Sequence, residues 1–237
     1  HGFRKGETPI QRFEVEEIKI TDHARRDTFT PEEYKQFYEG MRDWVKESAD
    51  SYEKYYRSIL RDFVLIKSNT FLRFGELVKI KWKMVKVSSH KGNKIIILDL
   101  PKEICKNKKN RQVIARGGRY FERIKEYTEN HKKEDYVFTH RDRNELISKS
   151  SFYKYFNQVM KYTGFDKSEK TLTFYSFRHF GITARLYAKV PIYEVAKLAG
   201  TEVRFIENHY EHLDIGKLRD SALQTFTMDK NGFVIRE

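Results

Sequence analysis

Apolar side chains recur at helical spacing through most of this chain. Around Thr30-Pro31-Glu32-Glu33 a hydroxyl N-cap, a proline at the first helical position and a glutamate at the third coincide. Tyr34, Phe37, Met41 and Val45 follow as one helical stripe. A second helix is predicted from Tyr52 to about Lys67, with Tyr55, Ile59, Phe63 and Ile66 inward, and a short third one from Arg73 to Trp82. There the period changes. Met84 to Val87, Lys94 to Leu100 and Arg111 to Ala115 are β-rich pieces separated by HKGN and by the basic run CKNKKN, which predicts a small antiparallel sheet. Gly117-Gly118 ends it, and Tyr120 to Tyr127 reads as helix. Further helices are expected at Phe152 to Thr163, Ser176 to Tyr187, Ile192 to Ala199 and Val203 to about His209. A last one, Ile215 to Phe226, precedes a polar tail. The predicted fold is mixed α/β, mainly helical, with a small inserted antiparallel β-sheet.

Length and charge narrow the picture. The 237 residues suffice for one sizeable core. Residues 1–26 mix charges with Gly and Pro without helical periodicity and read as a linker from something upstream. With 47 Lys+Arg against 34 Asp+Glu, the net charge is +13, and the basic residues recur along the whole length. Such a surface suits a polyanionic partner, although solvated Lys-rich faces are also common on basic domains. Cys105 stands alone, which excludes an intrachain disulfide and fits a reducing, cytoplasmic setting. No apolar run approaches the roughly 20 residues of a membrane span.

Metal and nucleotide chemistry find no support. His209 and His212 lack a third ligand nearby, CxxC and HxxxH pairs are missing, and Gly117-Gly118 matches no phosphate-binding loop. No cofactor and no metal are expected.

Three segments carry the chemistry: TFLRFGELVKIKW at 70–82, YSFRHFGITARL at 175–186 and LAGTEVRFIENHYEHLD at 198–214. Together they resemble the signature boxes of the tyrosine recombinase, or phage integrase, catalytic domain, over roughly Thr30 to Leu213 and in the family's order. The resemblance implies that Arg73 and Arg178 bind the scissile phosphate, a task suited to planar guanidinium forks facing charge on non-bridging oxygens. Their apolar neighbours Leu72, Phe74 and Phe177 argue against ordinary surface arginines. Glu76, three residues after Arg73, is placed to orient its guanidinium.

The family's hairpin lysine has a pattern like K-x-x-K-x-R, which Lys106-Asn-Lys-Lys109-Asn-Arg111 fits. Lys106 is therefore the choice for the general acid that protonates the departing 5′ oxygen. Lys91, in HKGNK, competes for that role. Lys91, Lys108, Lys109 and Arg111 are expected to touch the DNA backbone.

Tyr210 is implied as the nucleophile, singled out among 15 tyrosines only by its place in IENHYEHL. Its hydroxyl, with a free pKa of about 10, needs cationic neighbours to attack. Tyr175 and Thr201 stand where most of the family has histidine, or, at the second position, tryptophan. Both can hydrogen-bond to a phosphate, but neither shuttles a proton near neutral pH, so the general base stays open. His179 reads as a packing residue.

The activity implied is site-specific DNA recombination through a 3′-phosphotyrosyl intermediate. The expected partner is double-stranded DNA, bound by a homotetramer in the cytoplasm and associated with the nucleoid; the helix from Ile215 to Phe226 resembles the segment that docks onto a neighbouring subunit, and on sequence alone it could equally pack onto its own domain. The implied division is a linker at 1–26 from an N-terminal DNA-clamping domain, a catalytic domain at 27–213, and a C-terminal helix and tail at 214–237. A type IB topoisomerase and a non-catalytic DNA-binding remnant are the alternatives.

Overall fold

Thr30 opens the first helix as its sequence requires: its hydroxyl accepts from the amide of Glu33 at 3.2 Å, and the Glu33 carboxylate accepts from the Thr30 amide at 2.7 Å. Such a cap contributes about 1 kcal/mol. The computed structural model describes residues 27–128, 131–210, 226–228 and 234–236. The helices are α1 (Pro31–Lys46), α2 (Ser51–Thr70), α3 (Phe74–Leu77), α4 (Gly118–Tyr127), α5 (Lys149–Tyr162), α6 (Phe174–Tyr187), α7 (Ile192–Ala199) and α8 (Val203–Tyr210), and a small sheet packs mainly against α2 and α4. That sheet joins β1 (Val85–His90), β2 (Asn93–Leu100) and β3 (Arg111–Arg116) in antiparallel order β1-β2-β3. Register is set by Val85 opposite Leu98, and by Leu100 opposite Arg111.

The expected mainly helical α/β fold is thus present, with element ends shifted by a few residues. One expectation needs correcting. The stretch Arg73 to Trp82 is not a continuous helix: α3 stops at Leu77, and Trp82–Met84 forms a separate 3-10 turn. Its backbone groups find partners elsewhere, because the Ile80 carbonyl accepts from Val137 at 2.9 Å and the Trp82 amide donates to Asp135 at 3.0 Å. Tertiary pairing overrides the helical period there.

Phe226, expected to close a last helix, instead begins β4 (Phe226–Met228), which pairs with β5 (Val234–Arg236) in the presumed tail. Residues 215–225 of that helix and the linker at 1–26 lie outside the described residues.

Two apolar cores form. The larger gathers α1, α2, α4, α5 and the sheet around aromatics such as Phe37, Phe63, Phe121 and Phe174, all at most 1% exposed. Each such ring contributes about 2–3 kcal/mol on burial. The smaller joins Phe71 to Ile182, Leu186, Val195, Ala199 and Ile206 from α6, α7 and α8. Phe71 belongs to one core and Leu72 to the other, so the turn leading to Arg73 lies on the seam between them. Gly181 lets the elements close on that seam, since a Cβ there would meet the Phe71 ring at 2.6 Å and overlap the Ser68 carbonyl.

Candidate active site

The seam gathers most of the residues expected to act. Arg73 sits in extended backbone just ahead of α3 (φ −66°, ψ 152°), so its partner Glu76 reaches it by capping the helix, not along a shared helical face. The Glu76 carboxylate accepts from the Arg73 amide at 3.0 Å and meets its guanidinium at 3.3 Å. It also accepts from the Lys106 backbone amide at 3.2 Å and from Arg111 at 2.9 Å. A carboxylate 3% exposed therefore ties together the arginine box, the lysine loop and β3. Burial alone would raise its pKa, but Arg111, the two backbone donors and Arg73 hold it below the usual 4.5.

Arg111 closes the circle. Beyond Glu76 it donates to the Leu198 carbonyl at 3.3 Å, at the C-terminal end of α7 where a cation is favoured. Expected at the DNA backbone, it is instead a largely buried brace, its side chain 11% exposed, because its charge is matched within the protein. Lys91, Lys108 and Lys109 are exposed, as is Lys106. Lys91 lies in the β1–β2 turn, at the opposite end of β2 from Arg111, roughly 25 Å along the strand.

Arg178, on α6, is 1% exposed, and its guanidinium donates to the Phe71 carbonyl. Burial, then Arg73, pulls its pKa down to about 10 against the influence of Tyr175 and Glu76, which leaves it cationic at neutral pH. Tyr175 sits one turn earlier, half-buried, its ring edge-on to His179 at 4.7 Å. His179 is buried, in keeping with a packing role.

Gly200 ends α7 in left-handed conformation (φ 61°, ψ 51°) and its carbonyl accepts from Arg73 at 3.5 Å. Thr201 follows directly, half-buried at the edge of the same cluster. A Cβ at Gly200 would overlap the Arg111 guanidinium. Gly200→Ala is therefore expected to cost about 1–3 kcal/mol, from backbone strain plus displacement of Arg111, read as a melting temperature several degrees lower.

Tyr210 is the last residue of α8, which starts two residues after Thr201. Its side chain, and His212, lie outside what is described.

A family model described as "Phage integrase family" matches residues 27–216. The chain belongs to the phage integrase family. No curated protein matches it at a significant level. Solved structures of similar fold include the XerH site-specific recombinase bound to a palindromic difH substrate (TM-score 0.61, 17% identity, 84% of this chain and 53% of that one). The Tn1549 transposon integrase in complex with transposon right end DNA is similar as well (TM-score 0.59, 17% identity, 85% of this chain and 67% of that one). So is the XerA recombinase (TM-score 0.58, 16% identity, 84% and 63%). This integrase-family chain spans about half the length of the XerH recombinase.

Two features of the integrase site went unread in the sequence. Phe71 takes a left-handed conformation (φ 57°) while fully buried, a state rare for a bulky residue. Lys67 is 1% exposed and donates to the Leu72 carbonyl at 2.7 Å. The signal for Lys67 was present: it follows Phe63 by four positions, on the inward face of α2.

Proposed function

We propose that this chain cleaves and rejoins DNA strands at specific sites through a 3′-phosphotyrosyl intermediate, as a site-specific recombinase. The observation that carries the reading is the convergence of Arg73 and Arg178 at the seam, both held by buried partners and with no carboxylate but Glu76 pairing Arg73 among the described contacts. Two guanidiniums fixed in this way form a preorganised site for a phosphodiester whose non-bridging oxygens gain charge in the transition state.

Tyr210 supplies the nucleophile. Its hydroxyl releases its proton to solvent, its oxygen bonds to phosphorus as the bond to the 5′ oxygen breaks, and Lys106 gives the departing 5′ oxygen a proton. The phosphotyrosyl ester keeps the bond energy, so a 5′ hydroxyl from another strand can reverse the step without ATP. Lys106 is supported over Lys91 because its loop is tied to Glu76, beside the arginines, whereas the Lys91 turn is a strand's length away. Tyr175 and Thr201 complete the ring of hydrogen-bonding groups around the phosphate, and exposed Lys91, Lys108 and Lys109 meet the flanking backbone.

Residues 27–213 are the catalytic domain on this reading, double-stranded DNA is the partner, and recombination proceeds in a homotetramer. Among the described residues no helix is long and apolar enough to cross a membrane. The intact two-arginine arrangement favours an active enzyme over a DNA-binding remnant. Exchange of strands between two duplexes separates it from a topoisomerase.

Covalent trapping tests the proposal. The chain, incubated with nicked suicide duplexes from the sequence flanking its own gene, without metal or ATP, is expected to give a denaturation-resistant protein–DNA band. Tyr210→Phe should remove that band entirely. A band that survives the substitution would assign the chemistry to another tyrosine.

A further inference from the structure

Lys67 has no part in the cleavage scheme, yet it lies fully buried beside it. Taking an ammonium out of water next to guanidiniums is costly, and an apolar residue would fill the position more cheaply. Its geometry shows what it does there. From the last turn of α2 its Nζ donates to the Leu72 carbonyl at 2.7 Å, while Arg178 donates to the carbonyl of Phe71. Two successive carbonyls, immediately before Arg73, are thus held by two buried basic side chains from different helices. The turn they hold begins with the left-handed Phe71 and crosses from one core to the other.

We propose that Lys67 is a positioning residue for strand cleavage: by clamping the Leu72 carbonyl it fixes the turn from which Arg73 reaches the scissile phosphate, and it adds positive charge behind both arginines once the phosphate is bound. This rests on the recombinase reading given above.

The ionisable groups that face Lys67 are Arg178 from α6, Glu76 from α3 and Arg73 from the turn. Burial first, then Arg178 and Arg73, bring its pKa from 10.5 down to about 7, against the pull of Glu76. Burial and its cationic neighbours therefore favour the neutral amine in the free chain more than in a lysine exposed to water. A phosphate anion on the arginines offsets their repulsion and raises the value, so DNA binding takes up a proton between about pH 7 and 10.5.

The test compares the full chain with Lys67→Met and Lys67→Gln on the trapping duplex at saturating DNA. Adduct formation by Lys67→Met is expected to be at least about tenfold slower, with DNA affinity within about twofold of the parent. Proton uptake at pH 8, read from the buffer dependence of the calorimetric binding heat, should be lost in both variants. Glutamine can still donate to the Leu72 carbonyl, so Lys67→Gln should recover much of the rate but not the uptake. Parental rate and uptake in Lys67→Met would overturn the proposal. Should that variant not fold, Lys67→Gln decides: lost uptake supports the proposal and retained uptake overturns it. A parent chain that forms no adduct brings down the recombinase reading and this inference together, whereas a normal parent with an unaffected Lys67→Met brings down only the inference.

Discussion

Arg178→Met is expected to slow formation of the covalent DNA adduct by about three orders of magnitude while leaving the fold intact. Activity and stability should separate because the folded chain by itself gains little from this cation. Arg178 is buried at 1% exposure, its pKa is held down by burial and by Arg73, and it adds to the repulsion on Lys67. Replacing such a buried charge with an apolar side chain of similar volume is often neutral or stabilising by about 1–4 kcal/mol. Against that stands the hydrogen bond to the Phe71 carbonyl, whose loss costs about 1–3 kcal/mol. The two nearly cancel, so the melting temperature should move by only a few degrees in either direction. A variant that melts like the parent but cleaves suicide DNA at more than about a tenth of its rate would remove Arg178 from the phosphate site.

The opposite signature is expected of Glu76→Ala. Here the side chain removed is the anion on which Arg73, Arg111 and the Lys106 amide converge. Its loss leaves two guanidiniums facing each other without a counterion, which costs about 3–5 kcal/mol. For a chain of this size that lowers the melting temperature by roughly 10 °C. Adduct formation should fall too, since Arg73 and the Lys106 loop lose a common anchor. The acid limb gives an independent check. Glu76 has a folded pKa below its ordinary 4.5, so its contribution is fully present above that value and is lost as the pH falls through the lower folded one. In Glu76→Ala the decline in stability below about pH 4.5 should therefore be shallower. An unchanged melting temperature and acid limb would mean that the carboxylate is a bystander.

Arg111 shows where reading residues along a line reaches its limit. In the sequence it closes a basic run and looks like one more backbone contact for DNA. In the fold, pairing of Leu100 with Arg111 sets it at the end of the sheet that faces Glu76 and the end of α7, and the charge is used internally. Charge pattern cannot distinguish the two roles, because both require an arginine after a turn. The same holds for the stretch after Arg73, whose helical period was real but whose Ile80 carbonyl and Trp82 amide pair with Val137 and Asp135. A local pattern loses there to hydrogen bonds offered from more than fifty positions away in sequence.

By itself the sequence determined the helices and strands with strong periodicity, the capping box at Thr30, the order of the boxes and the identities of Arg73, Glu76, Arg178 and Tyr210 as the candidate chemistry. The elements and the cap are set by local spacing and residue type, which the chain carries with it unfolded; the four site residues were implied by the resemblance of their boxes to those of the phage integrase family. Tertiary structure alone decided that Glu76 is a hub and not a single partner, that the backbone of the Lys106 loop is tied to that hub while the Lys91 turn is not, and that Arg111 and Lys67 are inside. Those outcomes depend on which segments meet at the seam between the two cores, and burial and charge pairing exist only once they have met.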